Sequence, residues 1–416
     1  MNARTVNFVI GAGVVIALLA GTALAQEAGS RRMVILDRGL QRIPAELETL
    51  APSTIQYTDV TGRTRSIERS RVLAVYSARG HSASLPSAIA AGEGGGGIPG
   101  VLRLTDGQVV PGFLVPADEP GESVSWRSRR IGQFSVPLDR TSSILFAEVA
   151  HDSAKPQRDS AILGNNDRVE GFVEGIGKQL AIEVDGKPNS IPIERVAWIA
   201  LANPLEPGAL PLVYLNDGSV LTTSELASAS PSSKGATSAT ATAQWALASE
   251  SGTGVVDIEA IDAILFDPRA IVPLASIPIA KAAGPAGRRW TPTPEVSAPE
   301  TAPIGMASIT ISGPALVEWK LPAGSMKFGT TASLPPDAAA WGNATVLVSA
   351  AGPSGAFKEV AKVDLSAEKP AADIVADVTD GQTLRIEVKG KAYSDVQARV
   401  ALHQPVVMRT IDPARK

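Results

Sequence analysis

The chain has 416 residues, 44% of them hydrophobic and only 19% charged, with 38 Gly, 31 Pro and no Cys. A formal net charge of −4 gives no general electrostatic reason to bind nucleic acid, an anionic membrane or a strongly basic partner. The missing thiols exclude disulfides, thiolate metal sites, cysteine nucleophiles and redox relays. The Gly and Pro content favours short strands over long helices.

Residues 1–25 read as a signal peptide. Arg4 supplies the positive start, Val6 to Ala20 is a nearly uninterrupted apolar run, and Ala23-Leu24-Ala25 is an A-x-A cleavage site. Gln26 is the expected new N-terminus. No later segment has the roughly twenty consecutive apolar residues that a membrane span needs. The expected product is exported, periplasmic or secreted, with no membrane span after cleavage.

One unit then recurs four times. It begins with an apolar strand and an Asp/Gly turn, and it ends in an Ile-rich closing stretch. Unit one (31–80) runs from VILDRG to SIERSRVLAVYS, with IPAELETLA (43–51) read as adding one helical turn. A Gly-rich linker follows at 81–99, whose four glycines Gly94 to Gly97 have no side chain to bury. Unit two (100–150) runs from VLRLTDG to VPLDRTSSILFAE, and unit three (160–203) from AILGNNDRVEG to IPIERVAWIALAN. Unit four (211–268) runs from LVYLNDG to VVDIEAIDAILFDP, and its Ser/Ala/Thr-rich insert at 228–242 reads as disordered. Gly107 and Gly218 should occupy equivalent turns at positive φ, and Ile144, Ile199 and Ile264 should be core residues of the closing strands. In its first two strands the unit resembles the Sm-like and SH3-like small barrels, through LTDGQVVPG (104–112), LGNNDRVEG (163–171) and LNDGSVL (215–221).

Residues 269–306 read as a Pro-rich linker or domain entry, and 307–410 as a β-sandwich whose strands are longer than those of the units. The run IGMASITISGPALVEWKLP (304–322), then MKFGTTASLP, WGNATVLVSAAG, VAKVDLS, DGQTLRIEV and SDVQARVALHQPVV, resembles the NPCBM family. That family is a galactose-binding-like jelly roll of the carbohydrate-binding-module type. The chain departs from its pattern at Ala307, where the family often has His, and at Asp395, which lacks the family's following Trp. The resemblance implies a polysaccharide or cell-envelope glycan as partner. Sugar recognition needs an aromatic face for ring C–H groups and a few polar groups for hydroxyls. Trp341 at a loop tip, Asn343, and Tyr393 with Asp395 near the last strand are the candidates.

Enzymatic chemistry is not indicated. His81, His151 and His403 lie far apart with no partner at ligand spacing, and there is no G-x-S-x-G elbow. No catalytic residue, metal or cofactor is expected. The one basic aromatic cluster, Trp126-Arg127-Ser128-Arg129-Arg130, reads as a strand with Trp126 turned inward, so no nucleic-acid partner is expected. The fold class expected is all-β, with tandem small barrel-like modules followed by a jelly-roll sandwich. The function expected is non-enzymatic glycan binding by an exported protein. The alternative is a protein–protein scaffold or structural envelope protein with no sugar binding.

Overall fold

The computed structural model describes residues 32–77, 97–147, 157–206, 208, 210–228, 240–247, 250–284, 293–297, 303–390 and 398–410. The signal peptide, residues 81–96 of the Gly-rich linker and 229–239 of the insert lie outside them. The described residues are almost entirely strands, and their helices are 3-10 turns of three residues each.

Unit one is β1 (Arg32–Asp37), β2 (Arg42–Leu50), β3 (Thr54–Asp59), β4 (Thr64–Glu68) and β5 (Val72–Ser77). Unit two is β6 (Ile98–Leu104), β7 (Val109–Leu114), β8 (Ser123–Ser128), β9 (Gly132–Pro137) and β10 (Thr141–Leu145). Unit three is β11 (Asp159–Leu163), β12 (Arg168–Ile176), β13 (Gln179–Val184), β14 (Lys187–Pro192) and β15 (Val196–Ala200). Unit four is β16 (Leu212–Leu215), β17 (Val220–Ser228), β18 (Thr240–Leu247), β19 (Glu250–Asp257) and β20 (Ile261–Leu265). In each, the first four strands pair antiparallel in succession, a 3-10 turn follows the fourth, and the fifth returns to pair with the first. The helical turn expected in 43–51 is instead strand β2. Its first half pairs with β1 and its second half with β3, across a bulge at Leu47/Thr49. Ladder pairing on both sides overrides the helix preference of the Ala-Glu-Leu-Glu run.

The four copies share one register. Ile35, Leu102, Ala161 and Val213 of the first strands face Val75, Ile144, Ile199 and Ile264 of the closing strands. All eight side chains are fully buried. Just beyond, every pair carries the same one-residue bulge in its closing strand. The following turn then needs a left-handed residue: Gly107 (φ 94°), Asn166 (φ 68°), Gly218 (φ 84°) and, in unit one, Leu40 (φ 61°). A leucine there costs about 1–2 kcal/mol of backbone strain. Asp37 holds the turn, its Oδ1 accepting the Gly39 and Gln41 amides at 2.7 and 2.9 Å.

Closing strands also join units to each other. β10 pairs antiparallel with β15, centred on Ile144 opposite Ile199, and β20 pairs with β5, centred on Ile264 opposite Val75. Both contacts place equivalent residues opposite each other, so each is a pseudo-twofold joint. A third joint, between units two and four, does the same through their second strands, with Val109 opposite Val220. There Gln108, fully buried, accepts the Thr222 amide at 3.1 Å, and Arg130 pairs with Asp217. The spatial order is therefore three, two, four, one. The matching turn of unit three, Gly164 to Arg168, is exposed.

The sandwich takes its first strands from residues 269–306, the stretch read in the sequence as a Pro-rich linker or domain entry. β21 (Ile271–Pro273), β22 (Ile279–Ala283) and β23 (Glu295–Val296) already belong to its sheets. They are followed by β24 (Ile309–Ser312), β25 (Ala315–Lys320), β26 (Ser325–Ser333), β27 (Ala344–Ala351), β28 (Phe357–Leu365), β29 (Ala371–Asp377), β30 (Thr383–Gly390) and β31 (Arg399–Arg409). One sheet has the order β23-β24-β31-β26-β29 with β21 also on β31, and the other β22-β25-β30-β27-β28. Trp319, Phe328, Val346, Val348 and Ile386 fill the space between them with no exposure above 0%. Unit one docks on this domain. Leu40, 1% exposed, lies against Gly329 of β26, where any Cβ would come within 3.0 Å of it. Tyr76, Met306, Val406 and Met408 complete that apolar junction, and Arg42 Nη2 donates to the Gln404 carbonyl at 2.9 Å.

Candidate functional site

β26 and β27 belong to different sheets, so the segment between them must cross one end of the sandwich. It is short and internally braced. The Ala338 amide donates to the Pro335 carbonyl at 2.9 Å, and the Ala338 carbonyl accepts the Trp341 amide at 3.3 Å. The Leu334 amide donates to the Pro370 carbonyl at 2.8 Å. The turn lifts Trp341 out of the core: its side chain is 66% exposed, whereas Trp126 and Trp319 are fully buried. Asn343, half-buried, is the last residue before β27.

Tyr393 and Asp395 lie outside the described residues. Their segment leaves from Gly390, which is opposite Ala344 across the β27–β30 ladder. It returns near Arg399, whose guanidinium reaches Asp337 in the Trp341 loop at 3.4 Å and Glu295 at 3.3 Å. Those three charged residues were not singled out in the sequence. Nothing local flags them, because Glu295 and Arg399 stand 104 positions apart and meet only when β23, β24 and β31 pair. The arrangement supplies one free indole face, with a carboxylate and a guanidinium on the same loop end. That is the kit for stacking on a sugar ring and hydrogen-bonding its hydroxyls.

The other sequence features fall elsewhere. Trp126 packs inside unit two, and Arg127 lies over the Phe113 ring at 5.6 Å. His403 sits on the outer face of the first sandwich sheet. Its Nε2 is 2.7 Å from Ser333 Oγ and its Nδ1 3.5 Å from Ser308 Oγ. Burial, and then the charge of Arg42, holds its proton affinity below the ordinary histidine value. His81 and His151 lie outside the described residues. Among the described residues no helix is long and apolar enough to cross a membrane.

No family model matches the chain, and no curated protein sequence matches it. Solved structures with some likeness include the CBM51-2 and INT domains of Clostridium perfringens ZmpB, at 10% identity and a TM-score of 0.28. That match covers 46% of this chain and 43% of the other, so the chain spans less than half of that structure's length. A CBM51 module of a Clostridium perfringens GH95 protein, solved with methyl-galactose, matches at 11% identity and a TM-score of 0.25, over 33% of this chain and 99% of that one. The tandem CBM51 modules of a Streptococcus pneumoniae family 98 glycoside hydrolase match at 8% identity and a TM-score of 0.27, over 60% and 88%.

Proposed function

We propose that the protein is an exported, non-enzymatic glycan-binding protein whose C-terminal sandwich receives sugar on the Trp341 loop. The single observation that carries this reading is the exposed Trp341 indole, held on a braced turn while Trp319 and Phe328 of the same sandwich are fully buried. A large apolar ring left in water on a rigid loop costs stability, and binding recovers that cost. The polar groups are Asn343 and Asp337, with Tyr393 and Asp395 kept from the sequence as further candidate contacts. The test is retention of the full chain on immobilised polysaccharides and envelope glycans. Wild type is expected to be retained selectively and Trp341→Ala to lose retention with its melting curve unchanged. Equal retention of both proteins sinks the proposal. Export has its own check: intact-mass measurement of the mature protein should show cleavage after Ala25.

The second reading, a protein–protein scaffold, is favoured by the array itself, in which three joints use equivalent surfaces. It predicts that a protein built without the Trp341 indole keeps every partner of the wild type.

A further inference from the structure

A second candidate site lies outside the sandwich, where units one and four meet. A groove of about 650 Å³ opens there between the 3-10 turn of unit one and the segment leaving β20. Three guanidiniums line it: Arg38, Arg69 and Arg269. Their neutralisation is incomplete. Arg38 has a distant partner, Asp267 at 3.4 Å, and spends its Nε on the Ser70 carbonyl at 2.7 Å. Arg69 lies over the Phe266 ring, 4.8 Å from its centroid, a contact that fixes the guanidinium without cancelling its charge. Burial pulls its proton affinity down. Arg269 has a buried Nε with no hydrogen-bond partner, and leaving such a donor unpaired is unfavourable. The one remaining acid in the lining is Glu68, which is exposed.

We propose that this groove binds the acidic group of an anionic sugar, a uronate carboxylate or a sugar sulfate. Guanidiniums present planar, forked donors that match both groups. Ser53, Thr54 and Ser70 line the same groove, and hydroxyls beside guanidiniums suit a polyhydroxylated ring bearing one charge. An acidic peptide is the competing occupant, and it makes less use of the Ser53, Thr54 and Ser70 hydroxyls than a polyhydroxylated ring does. The site is independent of the Trp341 loop.

The experiment uses the full chain at constant ionic strength. Sodium sulfate in place of chloride, and tri-galacturonate against neutral tri-galactose, are followed by thermal melting and calorimetric titration. Sulfate and tri-galacturonate should raise the melting temperature, as any ligand of the folded state does. Tri-galactose should not raise it through this groove. Arg69→Gln and Arg269→Gln should each weaken tri-galacturonate by about tenfold or more, the scale of one lost charge-assisted bond. Arg69→Lys, which keeps the charge but not the fork, should fall between. Trp341→Ala should leave these responses intact, so failure of the loop reading and failure of this one are separate results. An unchanged anion response in both glutamine variants, with their melting in chloride near wild type, overturns the site. Tighter binding of tri-glutamate than of tri-galacturonate overturns the sugar assignment.

Discussion

The four units and the sandwich bury their apolar residues in different ways. The sandwich closes mainly on itself: two sheets share an interior that holds Trp319 and Phe328, and only a side patch with Met306, Val406 and Met408 is covered by unit one. Each unit is a bent five-stranded sheet of about fifty residues, a size at which a lone core is marginal. The units meet that deficit collectively. A closing strand in the 1–4 or 2–3 pair has a first strand of its own unit on one side and the closing strand of a partner on the other. What would be an exposed edge becomes interior sheet. Repetition here adds stability through the joints as well as through the copies.

Breaking a joint centre should therefore cost more than its own unit. Ile264→Ala removes a fully buried side chain that touches its own first strand and Val75 of unit one. The expected loss is about 2–5 kcal/mol. Hydrogen exchange in the full chain should show β5 and β20 losing protection together, while the β25–β30 ladder of the sandwich keeps its own. Protection loss confined to unit four would contradict the shared-core account. Gly329→Val tests the docking of unit one on the sandwich. The new side chain would overlap Leu40, and overpacking of this kind costs about 1–3 kcal/mol. Limited proteolysis should then separate the sandwich from the array, and Leu40→Ala in the same chain should partly restore resistance. Gly107→Val probes one turn alone. A β-branched residue at φ 94° should cost about 1 kcal/mol or more, read as a lower urea midpoint, because the left-handed region excludes it. Asn166→Gly in unit three should do the opposite or nothing.

The smallest effect concerns His403. Its proton affinity is depressed in the folded chain, whereas the unfolded chain titrates near the ordinary value of about 6.5. The unfolded state thus binds the proton first as pH falls. Stability is full above about pH 6.5 and declines as pH drops through that value toward the folded one. Because the ring remains partly open to solvent, a shallow fall in melting temperature between pH 7.5 and 5.5 is expected, shallower still in His403→Gln. Identical slopes in the two proteins would remove His403 from the account.

The copies were legible in the sequence because they rest on local signals. L-x-L strands, Asp-Gly turns and Ile-rich endings follow from pleat alternation and from positive φ, and those signals recur with the register. Trp341 was legible as a loop residue for a similar reason, lying between the Asp337–Ala340 stretch and Gly342-Asn343. The joints were not. Nothing near Val75 announces Ile264, and Leu40 reads as an ordinary apolar residue until its φ and its neighbour Gly329 are known. The 43–51 segment misled because Ala, Glu and Leu favour helix locally, and only pairing with β1 and β3 decides otherwise. The arginines of the groove escaped notice since they come from three stretches, around 38, 69 and 269, that the fold alone assembles.

The order of the units in space, three-two-four-one, is not their order along the chain, and this bears on how the protein comes into being. Unit one is synthesised before the other three. Yet the strand that covers β5 is β20, and the surface that covers Leu40 is β26. Neither exists until most of the chain has been delivered. Units two and three, adjacent in sequence and in space, can join at once. Unit one must wait with Leu40 and Tyr76 uncovered. Loop-closure entropy makes the late pairing slow, and a waiting apolar face invites association with other chains. Maturation should therefore proceed from the middle outward, with the oldest segment the last to find its place.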